Sequence, residues 1–190
     1  MNELTNTTDT TEYHEDGRVY LRKLTPDDVT DRYLSWFRDP IVTEYLDARN
    51  LSHDDVVSYM VDGHASGLHI MYGIFDRETR THIGNVKIGP IVWRHETGGV
   101  VTFIGERDYW GKGYAREAIK IGTRLAFDQL NLRKLTDGVA EGNTGSVKAY
   151  TAAGWVVEAH LKGHHLIDGD PRDRIVISCF NPKFFPESAG

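Results

Sequence analysis

The alternation of hydrophobic and polar positions predicts two early helices before the first long strands. Residues 19–22 form a short apolar stretch typical of a strand. Thr25, followed by Pro26 and two aspartates, indicates a helix start, and we expect a helix over residues 29–39 that ends at Pro40. Ser52 precedes two further aspartates and opens a second helix.

Strand-like patterns dominate from residue 69 onward and then alternate with helices. The predicted strands cover residues 69–76, 82–92, 100–104, 134–140, 155–159 and 175–180. A long amphipathic helix follows residue 113, and a short one over residues 144–153 closes at Gly154. The last two strands are predicted to be joined by a polar loop. Together these elements predict an α/β fold of the α+β type, with a mixed sheet flanked by helices.

The length of 190 residues is sufficient for one domain with a substantial core. Residues 1–16 show no apolar periodicity and are predicted to be a disordered tail. We expect a single domain over residues 17–182 and a short C-terminal tail over residues 183–190.

Composition and charge exclude several classes of function. The net charge of −6 disfavours nucleic-acid binding, which needs a basic surface. No apolar run reaches the roughly 18–20 residues needed to span a membrane, and the polar, acidic N-terminus does not resemble a signal peptide. Cys179 is the only cysteine, so we expect it to be a small buried hydrophobic residue. These features predict a cytoplasmic protein.

Nine histidines raise the question of a metal site. His160, His164 and His165 lie near Asp168 and Asp170, but their spacing matches no zinc motif and the chain has no cysteine pair. We therefore interpret this segment as a solvated or substrate-facing loop and predict no metal.

A strand, a glycine turn and a helix follow one another over residues 100–126. Gly111 and Gly113 occupy the turn, and the helix after it carries an apolar stripe. This order directs backbone N–H groups and the positive end of a helix at an anion such as phosphate. The glycines alone are equally compatible with a plain strand-to-helix connection.

A second motif lies one predicted strand further along the chain. Asn143 is a natural N-cap for the following helix. Ser146 and Tyr150 are four residues apart and project from the same helical face. By itself, Tyr150 is also compatible with a half-buried packing role.

Taken together, the two motifs resemble those of the GNAT superfamily of N-acetyltransferases. The family's pyrophosphate loop, Gln/Arg-x-x-Gly-x-Gly/Ala, is matched by Gly113 and Ala115, with Trp110 in the first place. That departure is similar to the subgroup of ribosomal-protein N-terminal and sugar-nucleotide amine acetyltransferases. The family's Asn-x-x-Ser-x-x-x-Tyr-x-x-x-Gly motif is met by Asn143, Ser146, Tyr150 and Gly154. The similarity extends over about residues 19–180.

This resemblance implies acetyl-coenzyme A as co-substrate, bound where a central pair of parallel strands, residues 100–106 and 134–140, splays apart. It implies that the pantetheine arm pairs with the backbone of Phe103 and Ile104, and that Asn143 and Ser146 lie beside the cofactor. Arg107, Lys112 and Arg116 either add charge near the phosphates or are simply solvated. The pyrophosphate would be held by backbone amides of Trp110, Gly111, Lys112, Gly113, Tyr114 and Ala115.

The chemistry implied by the family is attack by a neutral amine on a thioester carbonyl, with an oxyanion stabilised by an N–H group near Phe103 or Ile104. Tyr150 would act as the general acid and protonate the departing thiolate. Many relatives place a glutamate as base near the position of Gly99, where this chain has none. His95 and Glu96 in the preceding turn are the nearest replacements.

Three interpretations of function remain open. Residues 36–40, 83–90 and 109–114 resemble enzymes of surface-polysaccharide pathways, which favours an amino-sugar nucleotide as the small-molecule amine. The first alternative is N-terminal acetylation of a protein such as a ribosomal protein. The second is a non-catalytic acyl-coenzyme A-binding module, which would have no need of Tyr150. Related proteins often pair, so a homodimer is an additional expectation.

Overall fold

The computed structural model describes residues 11–14, 17–167 and 169–186. The helices in this part of the chain are α1 (Asp31–Trp36), α2 (His53–Ala65), α3 (Tyr114–Asp128) and α4 (Thr144–Ala152). Short 3-10 turns cover Pro26–Asp28, Trp93–His95 and Arg107–Tyr109. The strands are β1 (Glu12–His14), β2 (Val19–Lys23), β3 (Ile70–Asp76), β4 (His82–Ile88), β5 (Thr97–Gly98), β6 (Val100–Ile104), β7 (Lys134–Ala140), β8 (Val156–Ile167) and β9 (Asp170–Phe180).

The strands form two sheets that meet at one point. The first has the order β1-β2-β3-β4-β6 and is antiparallel throughout. The second has the order β5-β7-β9-β8, in which β5 and β7 are parallel and the other pairs antiparallel. This architecture confirms the predicted α+β fold, with a mixed and mostly antiparallel sheet that splays at a central parallel pair.

The splay occurs at Gly99, between β5 and β6. Thr97 and Gly98 pair with β7, whereas the chain from Val100 onward pairs with β4. A Cβ at Gly99 would lie only 3.2 Å from the carbonyl oxygens of both Gly89 and Thr136. A side chain would therefore force the strands apart here, and glycine keeps the closed end of the gap tightly packed.

Two hydrophobic cores hold the sheets and helices in place. The apolar stripe of α3, including Ile119, Ile121 and Leu125, packs on one face of the first sheet. Full burial of each such side chain contributes about 1.5–3 kcal/mol relative to exposure. A second core lies under α1 and α2 and reaches Phe103 on β6. The strand that borders the gap is therefore packed on both faces.

The two early helices differ in how well the sequence predicted them. For α2 the prediction is confirmed, because Ser52 and Asp55 form a reciprocal capping box at its start. For α1 the predicted span of 29–39 was too long. Thr30 accepts a hydrogen bond from the Tyr33 N–H and starts a new helix of only six residues after a 3-10 turn.

The predicted N-terminal tail contains a strand. Residues 12–14 pair antiparallel with β2, and the ring of Tyr13 meets Tyr72 edge-on. These residues belong to the sheet because β2 would otherwise present an open edge. Residues 1–10, 15–16 and 187–190 of the predicted tails lie outside the described residues.

The loop predicted between the last two strands is instead a long hairpin. His160, His164 and His165 belong to β8, whose pairing with β9 continues beyond the end of β7. The prediction of a loop was wrong because both faces of this extension are largely exposed, which removes the apolar alternation that signals a strand. Asp168 lies outside the described residues.

Two further predictions concerned the burial of Cys179 and the absence of a membrane-spanning segment. Cys179 lies on β9 and is half-buried beside the larger core, and burial raises the pKa of its thiol. In the part of the chain that the structure describes, no helix has the length and apolar character needed to cross a membrane.

Candidate active site

The gap between β6 and β7 is the centre of the candidate site, and α4 directs a tyrosine into it. Asn143 caps the start of α4, three residues after the end of β7, and its Oδ1 accepts a hydrogen bond from the Ser146 N–H at 3.2 Å. This confirms the predicted N-cap. Tyr150, one turn after Ser146, is only 4% exposed and packs edge-on against Trp155.

The Tyr150 hydroxyl is held between two backbone groups of β6. It donates to the Val100 carbonyl oxygen at 2.5 Å and accepts from the Thr102 N–H at 3.2 Å. Burial raises the pKa of this hydroxyl well above its usual range, and the neighbouring carboxylate of Asp137 raises it further. Tyr150 is therefore a protonated phenol at neutral pH, positioned at the free edge of β6.

Successive backbone groups of β6 face opposite ways, which separates the two residues predicted to pair with a ligand. The Gly105 N–H donates to Ile83 on the β4 side, so by alternation the Phe103 N–H also faces β4. The N–H groups of Thr102 and Ile104 face the gap. Phe103 and Ile104 were predicted to pair with the pantetheine arm, and this geometry favours the Ile104 N–H over that of Phe103. The Thr102 N–H, which was not predicted, also faces the gap.

The glycine loop lies beyond the end of β6 and leads into α3. Gly111 and Gly113 have φ values of +69° and +88°, which only glycine adopts readily. Within the described residues, the backbone N–H groups of residues 111–116 donate to no hydrogen bond. Unpaired amides at the start of a helix, which here has 15 residues, are groups with which proteins commonly bind anions.

An arginine immediately before β2 fixes the beginning of α3, and no local sequence pattern indicates it. The Arg18 guanidinium donates to the Lys112 carbonyl oxygen at 2.7 Å and to Glu117 at 2.6 Å, and it lies over the ring of Tyr114. Arg18 and Glu117 are 99 positions apart, so no local motif links them. The Tyr114 hydroxyl also donates to Asp76 on β3.

The three cations predicted near the loop are all exposed. Lys112 and Arg116 flank the unpaired amides, and Arg107 lies 3.6 Å from the carboxylate of Asp39. Their positions are compatible with added charge near bound phosphates and equally with side chains that are simply solvated.

The two residues predicted as candidate bases lie on the surface before β5. The backbone carbonyls of His95 and Glu96 both accept hydrogen bonds from Arg133. Neither side chain forms a hydrogen bond or ion pair with any residue that the structure describes. Their role as base stays a prediction.

Asp137 on β7 places a carboxylate at the gap, and neither sequence motif pointed to it. Its Oδ1 accepts the Gly138 N–H at 2.7 Å, whereas its Oδ2 is closed off from solvent and has no hydrogen-bond partner among the described residues. Burial raises the pKa of this carboxyl above its usual value. An acidic residue between Leu135 and Val139 on the inward face of a strand was the available signal, but Gly99 across the gap is remote in sequence.

Metal-binding residues do not cluster in the described ranges. No group of three histidine, cysteine, aspartate or glutamate side chains comes together there in a way that would hold a metal ion.

Comparisons with known proteins agree with this geometry. The family described as "Acetyltransferase (GNAT) domain" matches residues 18–156. The N-acetyltransferase p20 of Bacillus licheniformis is 26% identical over 171 residues, covering 88% of this chain and 95% of p20.

Two solved structures illustrate the similarity in fold. Spermidine N-acetyltransferase from Vibrio cholerae, in complex with CoA and spermine, has a TM-score of 0.78 at 23% identity, covering 88% of this chain and 98% of that chain. Ribosomal-protein-S5-alanine acetyltransferase from Vibrio fischeri has a TM-score of 0.75 at 20% identity, covering 92% and 98%. The match over most of the chain establishes that this protein belongs to the GNAT family and is an N-acetyltransferase.

Proposed function

We propose that this protein transfers the acetyl group of acetyl-coenzyme A to a primary amine of a small molecule, by direct attack of the amine in a ternary complex. The observation that carries this proposal is the position of the Tyr150 hydroxyl, held at the free edge of β6 between the Val100 carbonyl and the Thr102 amide. A protein that only bound the cofactor would not need a protonated phenol there.

The residues around the gap fit acetyl-coenzyme A, which supplies an acetyl group activated as a thioester. The unpaired amides of residues 111–116 suit its pyrophosphate, and Gly111 leaves open space within 4 Å for a close approach. The gap-facing Ile104 amide suits the pantetheine arm, which would pair with β6 as an added strand. Asn143 and Ser146, at the start of α4, complete the proposed binding surface.

Two groups of the chain carry out the chemistry. Tyr150 holds a proton on its hydroxyl oxygen and delivers it to the leaving group as a general acid. The Thr102 N–H faces the gap and donates to that hydroxyl in the free protein, so it can stabilise negative charge on a carbonyl oxygen once Tyr150 has turned toward the leaving group. Removing a donor of this kind typically lowers the rate by about 100- to 1,000-fold.

The acceptor that we propose is an amino sugar linked to a nucleoside diphosphate. Arg174 on β9 packs over Gly138, so that its Nε would lie 1.8 Å from a Cβ at that position. Among the described residues Arg174 forms no hydrogen bond or ion pair, and its Nε is buried without a partner. A free guanidinium beside the gap suits a diphosphate, which it contacts through two parallel hydrogen bonds.

Other groups near Arg174 support an anionic acceptor. Burial, above all, and the neighbouring Arg174 charge lower the pKa of His165, so this ring is neutral and can offer an acceptor a hydrogen bond through Nε2, which has no partner among the described residues. The segment between α1 and α2 completes this side, because Tyr45 lies against Gly142 after the end of β7. A polycationic amine would be repelled by Arg174 at this position.

Thiol release from acetyl-coenzyme A tests the proposal with three acceptors: a nucleoside-diphosphate-linked amino sugar, spermine and a peptide that begins with alanine. We expect turnover with the first, and a raised KM for it in Arg174→Gln while the KM for the free amino sugar stays unchanged. Turnover confined to spermine or to the peptide would overturn the proposed acceptor. Tight cofactor binding without turnover of any amine would overturn the proposed activity.

A further inference from the structure

We propose that Asp137 is the general base, which takes a proton from the acceptor amine at the closed end of the gap. This inference rests on the proposed acetyl transfer and supplies a catalytic group that the family comparison and the sequence left open. It is based on where the two oxygens of Asp137 lie.

The Asp137 carboxylate bridges the two arms of the gap. One oxygen, Oδ1, is bound to the Gly138 amide on its own strand. The other, Oδ2, would lie 3.3 Å from a Cβ at Gly99 on the opposite arm. Gly99 itself carries no carboxylate, but the carboxylate of Asp137 on the facing strand reaches the same place.

The enclosed oxygen lacks a hydrogen-bond donor. Oδ2 is shielded from solvent and has no partner in the described residues. Leaving a buried charged oxygen unsatisfied is costly, and such atoms in native proteins call for a functional explanation. A donor N–H that arrives with the substrate, directly or through one water molecule, would satisfy Oδ2 and bring the amine within reach of the base.

The charges facing Asp137 favour this role. Burial raises the pKa of its carboxyl, whereas the Gly138 amide, Lys87 on β4 and Arg174 on β9 oppose the rise. The Tyr150 hydroxyl on α4 is the other titratable group beside it. A carboxylate whose pKa is raised toward neutrality is a better proton acceptor than an exposed one.

The proton balance of the step is simple. The amine nitrogen forms a bond to the carbonyl carbon as its N–H bond breaks, and that proton moves to Oδ2 of Asp137. The bond from the carbonyl carbon to sulfur breaks, and the sulfur takes the proton of Tyr150. Asp137 then returns its proton to solvent, and Tyr150 is reprotonated from solvent.

Asp137→Asn tests the inference because the amide retains the shape and an oxygen for the Gly138 N–H. With the best amine of the acceptor panel, we expect kcat to fall by about 100-fold or more at pH 7. The rising limb of the pH profile of kcat, measured with both substrates saturating, should disappear, while the affinity for coenzyme A stays unchanged. Asp62→Asn, at an exposed position of α2, is the matched control and should behave as wild type.

The rival bases are tested in the same assay. Loss of the rising limb in Glu96→Gln or His95→Ala, with the limb retained in Asp137→Asn, would overturn the inference. A kcat for Asp137→Asn within threefold of wild type would also overturn it. Because wild type is measured in parallel, absence of turnover in wild type identifies a failure of the proposed function rather than of Asp137 as base.

A measurement on wild type covers the case in which Asp137→Asn does not fold. The kcat profile is recorded with saturating acetyl-coenzyme A and three saturating amines whose own pKa values differ, because kcat/KM would also follow the protonation of the free amine. If the rising limb belongs to an enzyme carboxylate, it stays at the same pH with all three. A limb that moves with the pKa of the amine would contradict a base on the enzyme.

Discussion

The hydroxyl of Tyr150 donates a hydrogen bond to the carbonyl oxygen of Val100, across a gap in the sheet that both residues border. This contact joins α4 to the free edge of β6 although the residues are 50 positions apart. It occupies backbone groups that a ligand paired with β6 would otherwise use. A ligand that paired with β6 as proposed would therefore exchange this contact for others, and Tyr150 is the group at which that exchange would take place.

Tyr150→Phe is expected to lower kcat by about 100-fold or more while coenzyme A affinity stays within a few-fold of wild type. The loss reflects the missing proton donor. The variant should also lose about 1–3 kcal/mol of unfolding free energy, because the Val100 and Thr102 backbone groups lose a partner. Steady-state kinetics and denaturant unfolding measure the two effects. The control is Tyr20→Phe, which removes the hydroxyl of a buried tyrosine on β2 and should keep full activity. Unchanged turnover in Tyr150→Phe would exclude Tyr150 as the general acid.

Gly113→Ala is expected to weaken coenzyme A binding. The φ of +88° costs a non-glycine residue about 1–2 kcal/mol, and an added Cβ would lie 3.3 Å from the Arg18 guanidinium that anchors the loop. Gly154→Ala carries a similar backbone cost at φ +94°, with open space around it and away from the loop. Calorimetric titration should show weaker binding in the first variant alone. Equal affinities in both would argue against the loop as the pyrophosphate site.

Asp28→Asn is expected to destabilise the protein at pH 7 by about 1–3 kcal/mol. Burial alone would raise the pKa of Asp28, but hydrogen bonds from Arg22 and Thr25 outweigh it and lower the pKa below the unfolded value. The stability from this carboxylate is thus present above about pH 4 and lost as the pH falls through the folded-state pKa. Unfolding free energies of both proteins should converge in acid. A difference in unfolding free energy that persists at pH 2 would show that the Asp28 carboxylate is not its source.

Asp137→Asn should have the opposite effect on stability. The folded-state pKa of Asp137 is raised, chiefly by burial and against the pull of Lys87 and Arg174, so folding favours the protonated carboxyl. Its contribution is fully present below the unfolded pKa of about 4 and is lost as the pH rises through the folded pKa. The variant should therefore be more stable than wild type at pH 8 and similar to it at pH 4. Lower stability at pH 8 would indicate a structural role.

The local motifs could be predicted because their chemistry depends on short spacings. Gly111 and Gly113 lie between a strand and a helix, and Asn143 caps the helix that carries Tyr150 one strand later. Turn conformation, helix capping and helical periodicity are all set within a few residues. The same locality explains why α2 was predicted well.

Elements that depend on distant partners were missed or misjudged. β1 contains too few apolar residues to be recognised, and it forms because β2 offers an open edge. The extension of β8 and β9 has two exposed faces, so no alternation indicates it. The anchoring of the glycine loop by Arg18 and Glu117 spans 99 positions.

By itself, the sequence determined the order of the main helices and strands, the glycine turn and the identity of the tyrosine, since each follows from backbone geometry over a few residues. Only the tertiary structure decided which amides of β6 face the gap and that Asp137 reaches across to Gly99. Those relationships depend on how two sheets separate at one glycine. Such a separation is a property of strand pairing between residues far apart in the chain, which no local pattern encodes.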